Sequence, residues 1–230
     1  MRAGTVIAVL DYGIGNLRSA EKALQRVGAD ARLTADPDEA GAADGVVLPG
    51  VGAFGRCMEA LRSSGLDRVA LAFVQSDRPF LGICVGMQML YAGSEEAPDV
   101  PGLGVLPGTV QRLGGDVKRP QMQWNRLDVA DPAAPLLAGL GAGPWMYFVH
   151  SFAPPPGDDV IATCSYGGDV TAAVARGQLW ATQFHPEKSG ASGLRLLANF
   201  ARATGATGVT CAAGSVGGAA GSVGGAAGSV

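Results

Sequence analysis

The first half of the chain alternates short apolar runs with amphipathic stretches. Four runs have the length of one buried strand: residues 5–10 (TVIAVL), Ala31–Leu33, Gly45–Pro49 and Phe80–Ile83. The segments between them place apolar residues three or four positions apart, as helices do: Asn16–Val27, the stretch through Met58 and Leu61, and Leu66–Gln75. A further helix is predicted after Cys84, holding Met87, Gln88 and Leu90. This alternation is typical of a largely parallel sheet that is covered on both faces.

The second half contains more strands and fewer helices. Its apolar segments, separated by turn residues, predict the strands Val105–Leu113, Arg126–Val129, Met146–Val149, Val160–Tyr166, Val170–Ala175 and Leu179–Phe184. Gly167–Asp169 predicts a hairpin turn, and Ser189–Arg202 a final helix. The predicted fold class is therefore α/β, with a mostly parallel central sheet flanked by helices and an added antiparallel sheet.

Composition limits the domain count and the class of partner. We predict one domain over residues 1–204, because 230 residues suffice for one large α/β domain. Residues 205–230 are predicted to be a flexible tail, since they carry the repeat AAGSVGG, whose glycines make a helix costly. A net charge of −3 without a basic stripe argues against nucleic acid as a partner. The first apolar run is too short for a signal peptide or a membrane span.

The four cysteines stand at positions 57, 84, 164 and 211, without metal-ligand spacing. This usage is typical of a reducing compartment, so we expect a cytoplasmic protein without a metal or cofactor. Gly82-Ile83-Cys84-Val85-Gly86 has the glycine-x-nucleophile-x-glycine form of a strand-to-helix elbow. Such an elbow places the thiol at a helix N-terminus, which favours the thiolate. A cysteine ending an apolar strand is also commonly a small buried hydrophobic residue, and the elbow alone leaves both interpretations open.

The chain has only two histidines, so the search for a base is short. His185 and Glu187 lie two positions apart around Pro186, so that both side chains project to one side and the carboxylate can orient the imidazole. His150 ends another predicted strand without a nearby acid, and we expect it to be a wall or interface residue. Cys84 is thus the candidate nucleophile, with His185 and Glu187 as base and orienting acid.

GICVGMQ and QFHPEKS, in this order and about a hundred residues apart, resemble the motifs of class I (triad) glutamine amidotransferases. DYGIGNLRS, PGVGAFG and YFVHSF narrow the resemblance to the glutaminase subunits of imidazole glycerol phosphate synthase, which act in histidine biosynthesis. The resemblance covers about residues 5–203. It implies that glutamine is hydrolysed through a thioester. The ammonia then passes, unreleased, to a (β/α)8-barrel cyclase in a heterodimer that forms imidazole glycerol phosphate and aminoimidazole carboxamide ribotide.

The resemblance also implies a role for individual residues of this sequence. The catalytic triad falls on Cys84, His185 and Glu187. The oxyanion hole falls on Val85 and on Val51 and Gly52 of the Pro49–Gly52 turn, and the glutamine pocket on Gln88, Glu96 and the backbone around Ser151. The interface with the cyclase, or the ammonia exit, falls on Asn16, Trp124, Asn125, Tyr147 and Lys188.

The segment Lys118–Asn125 departs from the family pattern. Gln121 and Gln123 stand where the family commonly has a histidine and a glycine, although Trp124 and Asn125 match. We expect an interface loop here.

The sequence leaves several other functions open. The glycines at 50, 52 and 55 also match a dinucleotide fingerprint, but no acidic residue ends a strand about 20 positions later. Amidotransferases of pyridoxal phosphate, anthranilate or guanine nucleotide synthesis share the elbow and the His-x-Glu pair. A non-catalytic scaffold and a cysteine peptidase of similar fold also stay open at this point.

Overall fold

The computed structural model describes residues 4–210, and its main feature is an eight-stranded sheet. Within these residues the strands are β1 Val6–Leu10, β2 Asp30–Thr34, β3 Gly45–Gly50, β4 Phe80–Cys84, β5 Tyr91–Ser94, β6 Leu106–Arg112, β7 Gln121–Arg126, β8 Asp128–Val129, β9 Trp145–His150, β10 Phe152–Ala153, β11 Val160–Ser165, β12 Asp169–Arg176 and β13 Leu179–Thr182. The α-helices are α1 Leu17–Arg26, α2 Pro37–Ala42, α3 Phe54–Ser63, α4 Leu66–Gln75, α5 Val85–Gln88 and α6 Gly190–Ala203. Two single 3₁₀ turns, Pro135–Leu137 and Pro186–Lys188, complete the described part.

The large sheet has the strand order β2-β1-β3-β4-β13-β12-β11-β8. Its first five strands run parallel, and β12, β11 and β8 continue it in antiparallel fashion. Two smaller sheets stand beside it, β10-β6-β5 and the antiparallel pair β7-β9. The predicted α/β class, with a mostly parallel sheet and an added antiparallel part, is confirmed.

The core lies between the parallel strands and two groups of helices. β3 and β4 are buried along their whole length, as expected of strands covered on both faces. α1 packs against α6, while α4 packs against α2 and α3. The apolar stripe of α1, which predicted this helix, is buried at Leu17, Ala20 and Leu24.

Three predicted elements differ from the structure. The predicted strand Arg126–Val129 is divided at Leu127, because Arg126 ends β7 and only Asp128–Val129 pairs with β11. The helix after Cys84 ends at Gln88 and does not include Leu90, because the Leu90 carbonyl accepts hydrogen bonds from the N–H groups of Val105 and Leu106. The segment predicted as an interface loop forms strand β7 at Gln121–Arg126, which pairs with β9 from Gln121 opposite His150 to Arg126 opposite Trp145. The hairpin turn at Gly167–Asp169 is confirmed between β11 and β12.

Helix α2 was not predicted, although the sequence carries a signal for it. Asp36 begins α2 because its carboxylate accepts the N–H of Asp38 at 2.8 Å, ahead of Pro37 at the first helical position.

Residues 205–210, predicted to belong to the tail, contact the domain. The Thr210 N–H donates to the Val27 carbonyl at 3.0 Å. The division of the chain at residue 205 stays a prediction, and the repeat itself lies outside the described residues.

Strand order brings the chemically interesting segments to one edge of the sheet. β3 and β13 flank β4, and Gly50 lies directly beside Cys84 while Thr182 lies beside Ile83. The carboxyl ends of these parallel strands therefore meet, which is where α/β sheets place their binding crevices.

Candidate active site

Cys84 ends β4 at a sharp turn into the short helix α5. Its φ is 56° and its ψ is −112°, a conformation that a residue with a Cβ adopts only under strain. A Cβ on Gly86 would overlap the Leu48 carbonyl oxygen, and one on Gly82 would lie 3.0 Å from the Gly86 oxygen. The two glycines that predicted an elbow are therefore needed for the turn to form.

His185 and Glu187 form a buried pair beside Cys84. The Nδ1 atom of His185 lies 2.8 Å from Oε1 of Glu187, and the two side chains are 2% and 3% exposed. Pro186 begins the 3₁₀ turn that brings the carboxylate back to the ring. The Nε2 atom of His185 is buried without a hydrogen-bond partner among the described residues, and His185 and Cys84 line the same cavity. The structure thus brings together the three residues predicted as a triad.

The two histidines have pKa shifts of opposite sign. Burial works against a charge on His185, but its contacts with Cys84 and Glu187 together outweigh burial and raise the pKa of His185 well above its ordinary value. Burial, followed by the nearby His185, lowers the pKa of His150 to about 4. His185 is therefore the histidine of the site that holds a proton readily.

His150 is neutral at neutral pH, and its ring is fixed. Because its Nδ1 lies 2.8 Å from the Phe152 carbonyl oxygen, Nδ1 carries the proton and donates to that oxygen. Its Nε2 atom is buried without a partner among the described residues. His150 lines the same cavity as Cys84, so it is a wall residue rather than a surface residue.

The cavity has a volume of about 270 Å³ and is open on one side. It is lined by Val51, Gly52, Cys84, Val85, Gln88, Glu96, Pro120, Val149, His150, Ser151, Phe152 and His185. All residues that the resemblance places in the triad, the oxyanion hole and the glutamine pocket line it, except Glu187, which reaches it through His185.

The three candidate substrate-binding residues, Gln88, Glu96 and Ser151, differ in the hydrogen bonds that hold them. The amide of Gln88 is buried, and its Nε2 donates to the Phe152 carbonyl at 2.9 Å and to Oε1 of Gln183 at 3.1 Å. Oε2 of Glu96 accepts the N–H of Phe54, the first residue of α3, at 2.8 Å. Ser151 is half-buried, and its carbonyl accepts the N–H of Leu113. Glu96 thus fastens α3 to the cavity while its other carboxylate oxygen stays available.

Gln183 is a site residue that was not predicted from the sequence. Its Nε2 atom lies 3.7 Å from the Cys84 sulfur and its Oε1 accepts from Gln88, so one fully buried amide connects the two. The available signal was its position on the strand end that leads to His185, two residues earlier, where its side chain projects to the same side.

The candidate interface residues fall into two groups. Trp124 and Tyr147 lie opposite each other on β7 and β9, with ring centroids 6.0 Å apart, and Trp124 is 47% exposed. The Tyr147 carbonyl accepts the N–H of His185, which places the exposed Lys188 near this pair. The side chain of Asn125 instead donates to the Ser165 carbonyl, on the opposite face of β7.

Asn16 precedes α1 as an exposed residue. Its side chain accepts from the Ser19 hydroxyl and makes no capping bond to a backbone N–H. Met122 and Trp145, which are 61% and 54% exposed, extend the face of Trp124 and Tyr147 and were not predicted from the sequence. Met122, Trp124 and Trp145 are the exposed large hydrophobic residues of the part of the chain that the structure describes, and with the half-buried Tyr147 they form one apolar face of the two-stranded sheet.

Residues 4–210 contain neither a cluster of three His, Cys, Asp or Glu side chains that could hold a metal ion nor a helix long and apolar enough to cross a membrane. The three described cysteines, at positions 57, 84 and 164, are buried free thiols.

Comparisons with known proteins agree with this geometry. A family model described as glutamine amidotransferase class-I matches residues 8–204. The chain is 50% identical over 199 residues to "Imidazole glycerol phosphate synthase subunit HisH" of Synechococcus elongatus, covering 84% of this chain and 91% of that relative. The protein of the same name from Syntrophotalea carbinolica is 48% identical over 204 residues, covering 85% of this chain and 98% of the relative.

Solved structures share the fold. A crystal structure of a glutamine amidotransferase matches with a TM-score of 0.69 and 24% identity, covering 86% of this chain and 98% of that one. The structure of PurLQS from Thermotoga maritima matches with a TM-score of 0.67 and 19% identity, covering 87% and 99%. From the match over residues 8–204 and the close relatives, this chain belongs to the class I glutamine amidotransferase family, in the group of HisH subunits of imidazole glycerol phosphate synthase.

Proposed function

We propose that the chain hydrolyses the side-chain amide of glutamine at Cys84 and delivers the ammonia to a separate cyclase subunit of imidazole glycerol phosphate synthase. The observation that carries the chemistry is the buried pair of His185 and Glu187, 2.8 Å apart, in one cavity with Cys84. A cysteine on a strained elbow with a histidine and an orienting carboxylate is the arrangement of a nucleophilic acyl transfer.

The reaction begins at the sulfur. His185 takes the proton of Cys84, and the thiolate attacks the side-chain carbonyl carbon of glutamine. Negative charge then develops on the carbonyl oxygen, where the N–H of Val85 and an N–H of the Val51–Gly52 turn can donate. His185 returns its proton to the nitrogen as the carbon–nitrogen bond breaks, which releases ammonia and leaves a thioester on Cys84.

A water molecule completes the cycle. His185 accepts a proton from this water as its oxygen attacks the thioester, and the carbon–sulfur bond breaks to give glutamate and the free thiol. Glu187 holds the ring orientation in both halves, since its Oε1 faces Nδ1 throughout. Glu96 and the backbone at Ser151 provide groups for the ammonium and carboxylate of the substrate, and Gln88 shapes the wall next to its side chain.

The partner is a (β/α)8-barrel cyclase that binds as the second half of a heterodimer. The face of Met122, Trp124, Trp145 and Tyr147 is the surface that such a partner would cover, and the sequence resemblance adds the exposed residues Lys188 and Asn16 to the interface. This face lies next to the site, since the Tyr147 carbonyl accepts the N–H of His185, and ammonia leaving the cavity on this side would reach the partner directly. The products of the complex are imidazole glycerol phosphate and aminoimidazole carboxamide ribotide, in histidine biosynthesis.

We place this activity in the cytoplasm. Free buried thiols at Cys57, Cys84 and Cys164 fit a reducing compartment, in which a catalytic thiol stays reduced.

The test is glutamate release by the purified chain with and without the cyclase and its nucleotide ligand. We expect slow release alone and much faster release in the loaded complex. Cys84→Ala should abolish release while the complex still forms, and Cys164→Ala, which alters a buried thiol of the antiparallel strand β11, should retain it. Glutamate release by Cys84→Ala would exclude the thioester, and a cyclase without effect would exclude the partner.

A further inference from the structure

Gln183 is fully buried just after β13, and its side chain connects the nucleophile to the glutamine pocket. Its backbone N–H donates to the Ala172 carbonyl on β12 at 2.8 Å, so the sheet fixes the point from which the side chain starts. Its Oε1 atom accepts from Nε2 of Gln88 at 3.1 Å, and its own Nε2 atom lies 3.7 Å from the Cys84 sulfur. Gln183 has no part in the proton transfers described above, although its amide contacts the nucleophile.

The orientation of this amide follows from a backbone carbonyl on the other side of Gln88. The Phe152 carbonyl can only accept a hydrogen bond, and it accepts from Nε2 of Gln88 at 2.9 Å. Gln88 must therefore turn its NH2 group toward Phe152, and the other hydrogen of that group is donated to Gln183. Since Gln183 receives this hydrogen, its oxygen faces Gln88 and its NH2 group faces Cys84.

The opposite orientation of the Gln183 amide would be unfavourable at both ends. Its NH2 group would face the NH2 group of Gln88, and two buried donors would meet without an acceptor. Its oxygen would lie against the Cys84 sulfur, where it would repel the negative charge of a thiolate. The groups of Phe152, Gln88, Gln183 and Cys84, which we call the amide chain, thus have one favourable direction of hydrogen bonding.

The Cys84 sulfur has a second polar neighbour, which acts in the other direction. The Val149 carbonyl oxygen lies 3.9 Å from the sulfur and can accept the proton of a thiol. This carbonyl therefore favours the thiol, whereas an N–H of Gln183 donates to the sulfur and favours the thiolate. Loss of the Gln183 amide would leave the carbonyl in place and shift the balance toward the thiol.

We propose that Gln183 is a further catalytic residue, whose N–H stabilises the Cys84 thiolate, and that Gln88 is the positioning residue that turns this N–H toward the sulfur. The amide chain is complete without substrate, so the donor is in place before glutamine binds. The inference rests on the proposed glutaminase function, which it extends to a residue outside the triad.

The first test replaces the amide that contacts the sulfur. Gln183→Met keeps the length of the side chain and removes its hydrogen bonds. In the complete complex with the cyclase and its nucleotide ligand, we expect kcat for glutamine hydrolysis to fall about tenfold, because the thiolate loses a donor. Alkylation of Cys84 by iodoacetamide also requires the thiolate, and without glutamine at pH 7 its rate should fall about tenfold as well. Mass spectrometry of the Cys84 peptide measures this rate.

Gln88→Met tests the positioning role without altering Gln183. Gln88 makes no hydrogen bond to Cys84 itself, but its loss leaves the oxygen of Gln183 without its donor. The Gln183 amide can then turn, and we expect alkylation to slow by about threefold. Thr182→Val is the matched control, because it removes another fully buried hydrogen bond, from the Thr182 hydroxyl to the Phe184 carbonyl, beside Gln183 in the chain. It should keep the native alkylation rate within about twofold.

The pH profile of alkylation distinguishes the loss of a donor from a displacement of the sulfur. Ordinary cysteine thiols are mostly ionised at about pH 9.5, so that a donor no longer decides how much thiolate is present. The rates of Gln183→Met and the native chain should therefore approach within about twofold at this pH. A displaced sulfur would instead react slowly at every pH.

Several results would overturn the inference. These are a native alkylation rate in Gln183→Met at pH 7, an equal loss at both pH values, and an equal loss in Thr182→Val. A native rate in Gln88→Met would exclude its positioning role. If the native complex released no glutamate at all, the proposed function would fail, while the alkylation rates would still decide the inference.

Discussion

The two histidines of the chain end strands in two different sheets. His185 follows β13, which lies between β4 and β12 within the eight-stranded sheet. His150 ends β9, in the separate pair with β7. Both rings are buried, and each has an Nε2 atom without a partner among the described residues. By burial alone the two would be equivalent.

The neighbour of Nδ1 makes them different. For His185 that neighbour is the Glu187 carboxylate at 2.8 Å, and for His150 it is the Phe152 carbonyl at 2.8 Å. Contacts with Cys84 and with the Glu187 carboxylate outweigh burial and raise the pKa of His185, while burial lowers the pKa of His150 to about 4. These two neighbours of His185 together decide which of the two buried imidazoles can carry a proton through a reaction.

The two sheets that hold these histidines also differ, in how many of their faces are covered. The central strands are covered on both faces, so β4 and β13 are buried throughout. The β7–β9 pair is covered on one face only, where Gln121, Phe148 and His150 are buried, and its other face exposes Trp124 and Trp145. The central sheet holds the reacting groups, and we infer that the pair provides the cavity wall and the partner surface.

The largest expected effect is the difference in kcat between variants of the two histidines. His185→Asn should lower kcat of the loaded complex by about 10³-fold, because the proton acceptor and donor is lost. His150→Asn should lower kcat by less than about tenfold, because a neutral wall residue takes no proton. Glutamate release under saturating glutamine measures both. Equal losses in the two variants would mean that the Nδ1 neighbour does not separate them.

The parallel half of the fold could be predicted because each of its sequence patterns lies within one short segment. The run Phe80–Ile83 with glycines at 82 and 86 specifies a buried strand and an elbow within seven residues. His185 and Glu187 likewise lie within one short segment, and the structure brings them together as expected. For these two segments the sequence lacked only the information that they are neighbours. The structure supplies it, because β4 and β13 pair in parallel in the central sheet.

Strand β7 could not be predicted, because its polarity is inverted. Gln121 faces the core and is fully buried, whereas Met122 and Trp124 on the alternate positions face outward. An apolar outer face of this kind reverses the pattern on which strand prediction depends. Gln183 was missed for another reason: its bonds to Gln88 and Cys84 join residues 95 and 99 positions apart, so only the fold reveals them.

Replacing one tryptophan in each sheet tests how much each sheet contributes to the free energy of unfolding. Trp180 on β13 is 3% exposed and packs edge-to-face on Phe200, so Trp180→Ala should reduce the free energy of unfolding by about 3–5 kcal/mol. Trp124→Ala should change it by less than about 1 kcal/mol, but weaken binding of the cyclase by about 2 kcal/mol. Urea unfolding and titration calorimetry measure the two quantities. A strongly destabilised Trp124→Ala would place β7 in the core rather than at an interface.

The pH dependence of stability should have opposite signs for the two histidines. The folded pKa of His150, about 4, lies below the ordinary value of 6.5, so the unfolded chain binds its proton first as pH falls. The stability from neutral His150 is thus lost between pH 6.5 and 4, by up to about 3 kcal/mol. His185, whose pKa is raised, contributes stability that is complete below pH 6.5 and is lost as pH rises through its folded pKa.

Unfolding of the two asparagine variants across about pH 4–9 tests these signs. His150→Asn should flatten the acid side of the native curve, and His185→Asn should flatten the alkaline side. Flattening of the same side by both variants would contradict the assignment of opposite pKa shifts.

Glu187→Gln replaces one carboxylate by a neutral amide of the same shape. It makes the surroundings of His185 resemble those of His150. The side-chain oxygen facing Nδ1 becomes a neutral amide oxygen, as the Phe152 carbonyl is for His150. The pKa of His185, read from its ring signals by NMR, should then fall, and kcat should fall about a hundredfold because the imidazolium loses its counter-charge. Glu59→Gln, which alters an exposed carboxylate on α3, is the matched control and should change neither. An unchanged pKa for His185 would mean that Cys84 alone raises it, and the carboxylate would then hold the ring in place without tuning its charge.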